Sequence, residues 1–383
     1  MLEEALKNSK EELLMDLEQF VNIDSPSGYE EGIKRFQSLV IERLKRLGAE
    51  IIQENVDLPM AGWNVKAVWQ GRGKSKILLL AHADTVWECG TAKKRPFSVK
   101  GNRAYGPGVS DCKSGIAMIL QVISALQKIN FEDFSTITFV MNADEEKGSK
   151  KSREFIRSCA IGQDIAFCCE AGKAPDALTI WRKGSGQMVL EVYGKASHAG
   201  SAPDKGINAV VELCNQIIKM SALGDKKKGT TINFTQIEGS RNPHNVIPDY
   251  AQAVASVRAV TNEEFERIEV SAKEIASKPT LDGSKIKVDL LRNRPPMEKT
   301  IRSDALVEIM KEIYFKELGL ELTTVGSGGA SDANIIADIC EVIDSVGIVG
   351  GNAHHEEEYL ELDTIVPRIY LLCRTIMSLN KWI

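Results

Sequence analysis

Runs of apolar, β-branched residues alternate with helix-type patterns along the N-terminal part of the chain. Strand patterns lie at residues 65–69 and 76–81, in a run that begins at Ile137, and at 165–169. Helix patterns lie at residues 30–47, 116–128 and 152–159. Strands that alternate with helices predict a largely parallel or mixed sheet, and ligands of such sheets collect at the carboxyl ends of the strands.

The pattern changes near residue 180. From there the order is strand, helix, two strands, helix and strand, at residues 186–193, 208–220, 231–237, 251–260, 262–277 and 285–291. This order predicts a compact α+β insert of ferredoxin-like type. After the segment 292–296, helix patterns return at 303–318 and from residue 364, so we expect the first domain to resume there.

Composition narrows the class of protein. A chain of 383 residues that is 43% hydrophobic is expected to form two domains or more. The net charge of −5 is mild and does not indicate a nucleic-acid partner, and no apolar run approaches the length of a membrane span. The acidic N-terminus lacks the layout of a signal peptide, and the eight cysteines show no CxxC spacing. We therefore expect a cytoplasmic protein with reduced thiols.

The most informative stretch for chemistry is the apolar run from Ile137, which ends in Asp144, Glu145 and Glu146. Adjacent side chains on an extended backbone point to opposite faces, so both glutamates can face one pocket only if the chain is already turning. That arrangement suits one carboxylate on a metal and the other beside an attacking water. A solvated charge cluster that leads into a helix is the alternative.

Three further places present residues of metal-ligand type. His82 ends a strand, and Asp84 shares its face, as a carboxylate partner of a metal-bound histidine does. Asp111 lies where a glycine-rich loop enters a helix, although an N-cap would also explain it. Glu170 ends another strand. The five histidines all fall in loops or at strand ends: His82, His198, His244, His354 and His355.

Taken together, several ordered motifs span nearly the whole chain. They are His82-Ala-Asp84-Thr-Val, Gly106-Pro-Gly-Val-Ser-Asp111-Cys-Lys-Ser-Gly115, Asp144-Glu-Glu-Lys-Gly148, Glu170, Gly194-Lys-Ala-Ser-His198-Ala-Gly, Asn245-Val-Ile-Pro248 and His354 before Glu358-Tyr359. In this order they resemble the M20 family of zinc metallopeptidases, and within it the glutamate carboxypeptidase-like branch. The resemblance implies an α/β fold: a mixed-sheet, zinc-exopeptidase-type catalytic domain (1–179 and 295–383) with an inserted ferredoxin-like lid or dimerisation domain (180–294).

The resemblance also implies a centre of two zinc ions per chain, for which cobalt or manganese can substitute. The implied ligands are His82 and Glu170 for one ion, Glu146 and His354 for the other, and Asp111 as the bridge. His355 is the alternative to His354, since the family motif has one histidine four or five residues before the Glu-Tyr pair. His354 fits the four-residue spacing. Cys112 follows the bridging aspartate, where its thiol either touches the metal site or is a spectator.

Three catalytic roles follow from the same resemblance. Glu145 would be the general base, Asp84 would orient His82, and His198 would stabilise the oxyanion. In the resembling family the inserted domain pairs with its twin, so the chain is expected to form a homodimer in which His198 serves the partner's site.

Substrate recognition is expected to involve Arg294, Arg258 and Asn245. Arg294 occupies the Arg-x-Arg-Pro position that reads a terminal carboxylate in the resembling branch, although a salt bridge at a domain hinge would also explain either arginine. Leu178 falls near the position at which glutamate-releasing members carry a lysine, so glutamate is not specified.

Three functions are therefore compatible with the sequence. The first is a carboxypeptidase or N-acyl-amino-acid amidohydrolase that acts on a small peptide or an N-acyl amino acid. The second is a tripeptide aminopeptidase of the same family, which would need a receptor for the substrate amine. The third is a catalytically silent, metal-binding dimer.

Overall fold

The structure is a computed structural model that describes residues 1–57, 60–239 and 243–382. Its helices are α1 (Leu2–Ala5), α2 (Ser9–Val21), α3 (Glu30–Arg46), α4 (Thr91–Lys94), α5 (Lys113–Lys128), α6 (Arg153–Ala160), α7 (Ala209–Ser221), α8 (Asn262–Ala276), α9 (Ile301–Leu318), α10 (Ala333–Ile336) and α11 (Ile365–Ser378). Short 3₁₀ turns lie at Glu145–Lys147, Pro203–Lys205 and Leu379–Lys381.

The strands are numbered in chain order. They are β1 (Glu50–Asn55), β2 (Trp63–Gln70), β3 (Lys76–His82), β4 (Ser98–Lys100), β5 (Arg103–Tyr105), β6 (Thr136–Asn142), β7 (Ile165–Cys168), β8 (Ala177–Arg182), β9 (Gly184–Tyr193), β10 (Ser197–His198), β11 (Thr231–Glu238), β12 (Val246–Ile247), β13 (Tyr250–Ala259), β14 (Lys285–Arg294), β15 (Thr323–Ser327), β16 (Glu341–Ile343), β17 (Gly350–Gly351) and β18 (Tyr359–Glu361).

The described residues divide into two compact units. The first unit comprises the described residues of Met1–Trp181, Lys299–Ser327 and Ser331–Ile383, and the second comprises those of Arg182–Glu298 and Gly328–Ala330. Each unit has its own apolar core, built around α5 and β3 in the first and around β9 and β13 in the second.

The main sheet of the first unit has the strand order β1-β2-β6-β3-β7-β16. Strand β3 is parallel to β6 and to β7, while β2 is antiparallel to β6, so the predicted mixed sheet is confirmed. Residues 77–82 of β3 are all buried because α5 packs on this strand and neighbouring strands flank it. The carboxyl ends of β6, β3 and β7 consequently meet at one edge of the sheet.

A second, smaller sheet of the first unit has the order β17-β18-β5-β4. Strand β18 pairs antiparallel with β5, with Tyr359 opposite Tyr105. The segment that joins β17 to β18 carries His354, and the segment that follows β5 carries Asp111. Two segments far apart in the sequence are thus anchored on paired strands.

The second unit is built on the antiparallel sheet β11-β13-β9-β14, with helices α7 and α8 packed against it. Every second residue of β13 is buried, as expected for a sheet with one covered face. The chain order β9, α7, β11, β13, α8, β14 matches the predicted ferredoxin-like type. A separate two-stranded ribbon, β10 with β12, also belongs to this unit.

Candidate metal centre

The central strand β6 ends at Asn142, and the chain then enters the 3₁₀ turn Glu145–Lys147. This is the turn that two adjacent glutamates need in order to face one pocket. The carboxylate of Asp84 holds it, because Oδ1 accepts the N–H of Glu145 at 3.0 Å and Oδ2 accepts the N–H of Glu146 at 3.1 Å. Ser27 Oγ donates a further hydrogen bond to Asp84 Oδ2 at 2.6 Å.

The relation between His82 and Asp84 differs in detail from the expected one. His82 Nδ1 lies 2.9 Å from the backbone oxygen of Asp84 and 3.4 Å from its carboxylate Oδ1. The backbone oxygen is therefore the nearer partner of the ring, and the carboxylate is engaged with the turn that carries the glutamates. Both side chains are essentially buried.

We call His82 and Glu170 the inner pair. His82 Nε2 lies 3.0 Å from Asp111 Oδ1 and 3.6 Å from Glu170 Oε1. The Cys112 thiol is close by: candidate ligand atoms of His82, Cys112 and Glu170 all lie within 4.8 Å of one another. Cys112 Sγ also donates a hydrogen bond to the backbone oxygen of Cys169 at 3.3 Å.

We call Glu146 and His354 the outer pair. His354 Nε2 lies 3.1 Å from Glu146 Oε2 and 3.3 Å from Asp111 Oδ2. Its neighbour His355 is engaged elsewhere, since His355 Nδ1 accepts the N–H of Glu357 at 3.2 Å. Of the two adjacent histidines, His354 is thus the one that faces the carboxylates. Asp111 lies between the pairs, with one carboxylate oxygen toward each.

The charges of this cluster are mutually perturbed. Burial raises the pKa of Glu146 to about 7, against the opposing hydrogen bond with His354. Burial, reinforced by the negative charge of Asp111, raises the pKa of Glu170 well above its ordinary value. Hydrogen bonds with Asp111 and Glu146 raise the pKa of His354 to about 10. Although burial would raise it, the pKa of Asp111 is lowered by hydrogen bonds with His354 and His82. The cluster thus combines three carboxylates with two histidines, and the raised pKa values of Glu146 and Glu170 are the direction expected where carboxylates outnumber their cationic partners.

The donor set fits metal ions. In the described part of the chain, the ion pairs recorded for Asp111, Glu146 and Glu170 involve histidine and neither lysine nor arginine. Glu146 Oε1 is buried without a hydrogen-bond partner among the described residues. Divalent cations would satisfy that oxygen and replace the protons, and imidazole with carboxylate is a ligand set that zinc, cobalt and manganese accept.

The second unit carries the other predicted residues. His198 lies on β10, and its Nδ1 accepts the N–H groups of Gly200 and Ser201, each at 3.1 Å. Asn245 precedes β12, and its backbone oxygen accepts the N–H of the residue after His198 at 2.8 Å. The structure therefore brings His198 and the Asn245 backbone together on one ribbon, with both side chains exposed.

Arg258 and Arg294 occupy related positions on the sheet of the second unit. Arg258 of β13 and Arg294 of β14 are both paired with Ser185 of β9, one on each side. Residues opposite one another on neighbouring strands share a face of the sheet. Arg294 is buried and Arg258 is half-buried. Leu178, the residue near the family's lysine position, is buried in the core of the first unit.

The family assignment rests on a sequence match over most of the chain. The family model described as "Peptidase family M20/M25/M40" matches residues 78–378. This chain belongs to the M20 peptidase family. The resemblance of its motifs to that family is therefore confirmed, and the chain is a hydrolase of amide bonds from a metal-dependent family.

Individual relatives of this M20 protein include both peptidases and an amide hydrolase. It is 34% identical to carboxypeptidase G2 of Pseudomonas sp. (strain RS-16), over 99% of this chain and 92% of that protein. It is 26% identical to succinyl-diaminopimelate desuccinylase of Dechloromonas aromatica (strain RCB), over 89% of this chain and 92% of that protein. Aminopeptidase PepT of Bacillus cereus ATCC 10987 has the same fold, with a TM-score of 0.81, 24% identity, and coverage of 97% and 99% of the two chains.

No helix in the described residues of this M20 protein has the length and apolar character that a membrane span requires. Its eight cysteines are all unpaired, and most of them are buried.

Proposed function

We propose that this chain hydrolyses a peptide or N-acyl amide bond next to a free substrate carboxylate, as a carboxypeptidase or N-acyl-amino-acid amidohydrolase does. The observation that carries the proposal is the division of Asp111 between the inner and the outer pair, with Glu145 on the adjoining turn. The similarity to carboxypeptidase G2 supports the same reaction class. In this proposal the catalytic domain is 1–179 with 295–383, and 180–294 is the insert.

The proposed cofactor is a pair of zinc ions, with cobalt or manganese as substitutes. The inner pair would hold one ion, the outer pair the other, and Asp111 would bridge them. When bound, the ions would polarise the substrate carbonyl and lower the pKa of the attacking water. Imidazole and carboxylate donors, with Asp111 presenting one oxygen to each pair, support two ions over a single sulfur-rich structural ion, since Cys112 is, among the described residues, the one thiol close to them.

Glu145 is the proposed general base. It would take a proton from the attacking water and deliver that proton to the leaving amine. The hydrogen bonds of Asp84 to the N–H groups of Glu145 and Glu146 support this assignment, because they fix the turn on which the base lies. Asp84 thus contributes to the site by holding the glutamates as well as by contacting His82.

His198 is the proposed oxyanion donor. Because its Nδ1 accepts two backbone N–H groups, the neutral ring carries its proton on Nε2, which can then donate to a developing negative charge. We further propose a homodimer formed through the inserted domain, in which His198 of one chain serves the site of the partner.

The change His198→Ala should lower kcat by about 10²-fold or more, as loss of one oxyanion donor does. Metal content should stay the same. Mixing inactive His198→Ala and Glu145→Gln subunits should restore activity, because one site of the mixed dimer then has both groups. A fully active monomer, or no recovery after verified subunit exchange, would contradict the shared site.

The proposed receptors of the substrate carboxylate are Arg258 and Arg294, with Asn245 as a further substrate contact. Guanidinium groups bind carboxylates through two parallel hydrogen bonds, and both arginines lie opposite the same residue of β9, on its two neighbouring strands.

The second candidate function, a tripeptide aminopeptidase, is favoured by the fold shared with aminopeptidase PepT. A catalytically silent dimer is the third, and the presence of Glu145 together with all five proposed ligands argues against it.

A matched set of substrates separates these functions. Zinc- or cobalt-loaded protein would be incubated with N-acyl amino acids, dipeptides and tripeptides, each with the carboxylate free or amidated and the amine free or acetylated. We expect hydrolysis only where the carboxylate is free, and tolerance of an acylated amine. A requirement for a free amine would establish the aminopeptidase instead, and no turnover of any member would favour the silent dimer.

A further inference from the structure

Glu358 is a fully buried carboxylate whose recorded partners are all hydrogen-bond donors. Its Oε2 accepts from Trp87 Nε1 at 3.0 Å and from the N–H of Gly108 at 2.9 Å. Its Oε1 accepts from the N–H groups of Ser110 at 2.8 Å and Asp111 at 3.0 Å, with Ser110 Oγ at 3.4 Å. A hydrogen bond to an ionised carboxylate is stronger than a hydrogen bond between two neutral groups. A concave set of backbone N–H groups, such as the one around Glu358, forms an anion-binding nest.

The donors come from two segments that each follow a strand of the first unit. Trp87 lies on the segment after β3 and His82, whereas Gly108, Ser110 and Asp111 lie on the loop after β5. Glu358 itself immediately precedes β18 and follows the segment that carries His354. One buried carboxylate therefore joins the backbone segments that bear His82, Asp111 and His354.

We propose that Glu358 is a positioning residue of the M20 reaction in this protein: it fixes the backbone of Asp111 so that one carboxylate oxygen faces each of the two pairs. Glu358 Oε1 accepts both the N–H of Asp111 and that of Ser110, and these two hydrogen bonds restrain the main chain that carries the Asp111 side chain. The metal readout of this proposal rests on the two-ion centre proposed above, whereas the hydrogen-bond readout does not.

The change Glu358→Gln is a sharp probe because the two side chains have nearly the same shape. An amide group has one oxygen and one N–H₂. Whichever way it is oriented, its N–H₂ meets either the donors of Trp87 and Gly108 or those of Ser110 and Asp111. The N–H₂ group would then replace an oxygen that accepts two hydrogen bonds, and both of those buried donors would lose their acceptor, which costs free energy.

The control is Glu361→Gln, the same chemical change a few residues further along the chain. The carboxylate of Glu361 pairs with Arg103, whose Nη2 is 2.7 Å away, and has no recorded contact with residues 106–112 in the described chain. It therefore removes a charge on β18 without removing a hydrogen bond to residues 106–112.

Two measurements test the proposal. In the metal-free protein, the indole N–H proton resonance of Trp87, assigned by its loss in Trp87→Phe, should shift in Glu358→Gln and stay in place in Glu361→Gln. In cobalt titrations, Glu358→Gln should weaken binding by about 10–100-fold and alter the visible spectrum of bound cobalt, as loss of an outer hydrogen-bond partner does. Glu361→Gln should do neither.

The conservative change Glu358→Asp keeps the charge but is one methylene too short to reach all the donors. It should weaken cobalt binding less than Glu358→Gln does, and it carries the test if Glu358→Gln does not fold. A shifted Trp87 resonance with unaltered cobalt affinity and spectrum in Glu358→Gln, or unaltered affinity in Glu358→Asp, would overturn the positioning role. If the unaltered protein binds fewer than two cobalt ions, the two-ion centre fails. The positioning role is then judged on the binding and spectrum of the ion that does bind.

Discussion

The inner and outer pairs reach Asp111 from different structural contexts. The side chains of His82 and Glu170 are 1% and 12% exposed. His82 is the last residue of β3, and Glu170 lies just after β7, which is parallel to β3. In the outer pair, Glu146 is 5% exposed but His354 is 54% exposed and has a left-handed backbone with φ of 65°. The inner pair is thus part of the core of the first unit, while half of the outer pair belongs to an exposed connection.

This difference has an energetic consequence. Charges interact more strongly where water is excluded, and removal of one partner from a buried pair leaves an uncompensated charge. An exposed pair is screened by water and contributes little to stability. We therefore expect the inner pair to determine whether the site folds, and the outer pair to determine how readily an ion enters and leaves.

The largest expected effect separates Glu145 from its neighbour Glu146. Glu145→Gln should lower turnover by several orders of magnitude, since a general base alone contributes about 10²–10⁴-fold. It should leave the two proposed metal ions bound, because Glu145 belongs to neither pair. Glu146→Gln should instead lower metal content, because an outer-pair carboxylate is lost. Kinetics and metal analysis on the same samples provide the measurement.

The pair of variants serves as its own control, because the two changes are chemically identical and adjacent on one turn. Equal metal loss in both variants would show that Glu145 is also a ligand. An active Glu145→Gln enzyme would remove this residue from the mechanism altogether.

The next prediction compares the two histidines. In metal-free protein, His82→Ala should lower the free energy of unfolding by about 3–5 kcal/mol, the cost of breaking a buried charged pair. His354→Ala should lower it by about 1 kcal/mol or less, since this ring is largely exposed. Urea unfolding in the presence of a chelator measures both. Equal losses would show that burial does not distinguish the pairs.

Much of this site could be predicted from local pattern. Strand patterns before His82, Glu146 and Glu170 place these residues at strand ends, and parallel strands bring such ends to one edge. The role of Glu358 could not be predicted, because it depends on a hydrogen bond to a residue 247 positions away. His354 and His355 lie in an irregular segment to which no periodicity applies, so spacing in the family motif was the available guide.

The smallest expected effect concerns pH and the outer pair. The pKa of Glu146, ordinarily 4.5, is raised to about 7 by burial, and that of His354 is raised from 6.5 to about 10 by Asp111 and Glu146. A group whose pKa is higher in the folded state stabilises the fold below its unfolded pKa, and this contribution is lost as pH rises through the folded pKa. Metal-free protein should therefore lose stability between about pH 5 and about pH 10, through Glu146 in the lower part of that range and through His354 in the upper part. Bound ions replace the protons, so the gap in Tm between metal-loaded and metal-free protein should widen over that range.

Calorimetry at the two ends of this pH range measures the gap in Tm. The change Glu146→Gln removes one titrating group and should therefore make the gap depend less on pH. A gap that narrows with rising pH would show that protons and metal ions do not compete at the outer pair.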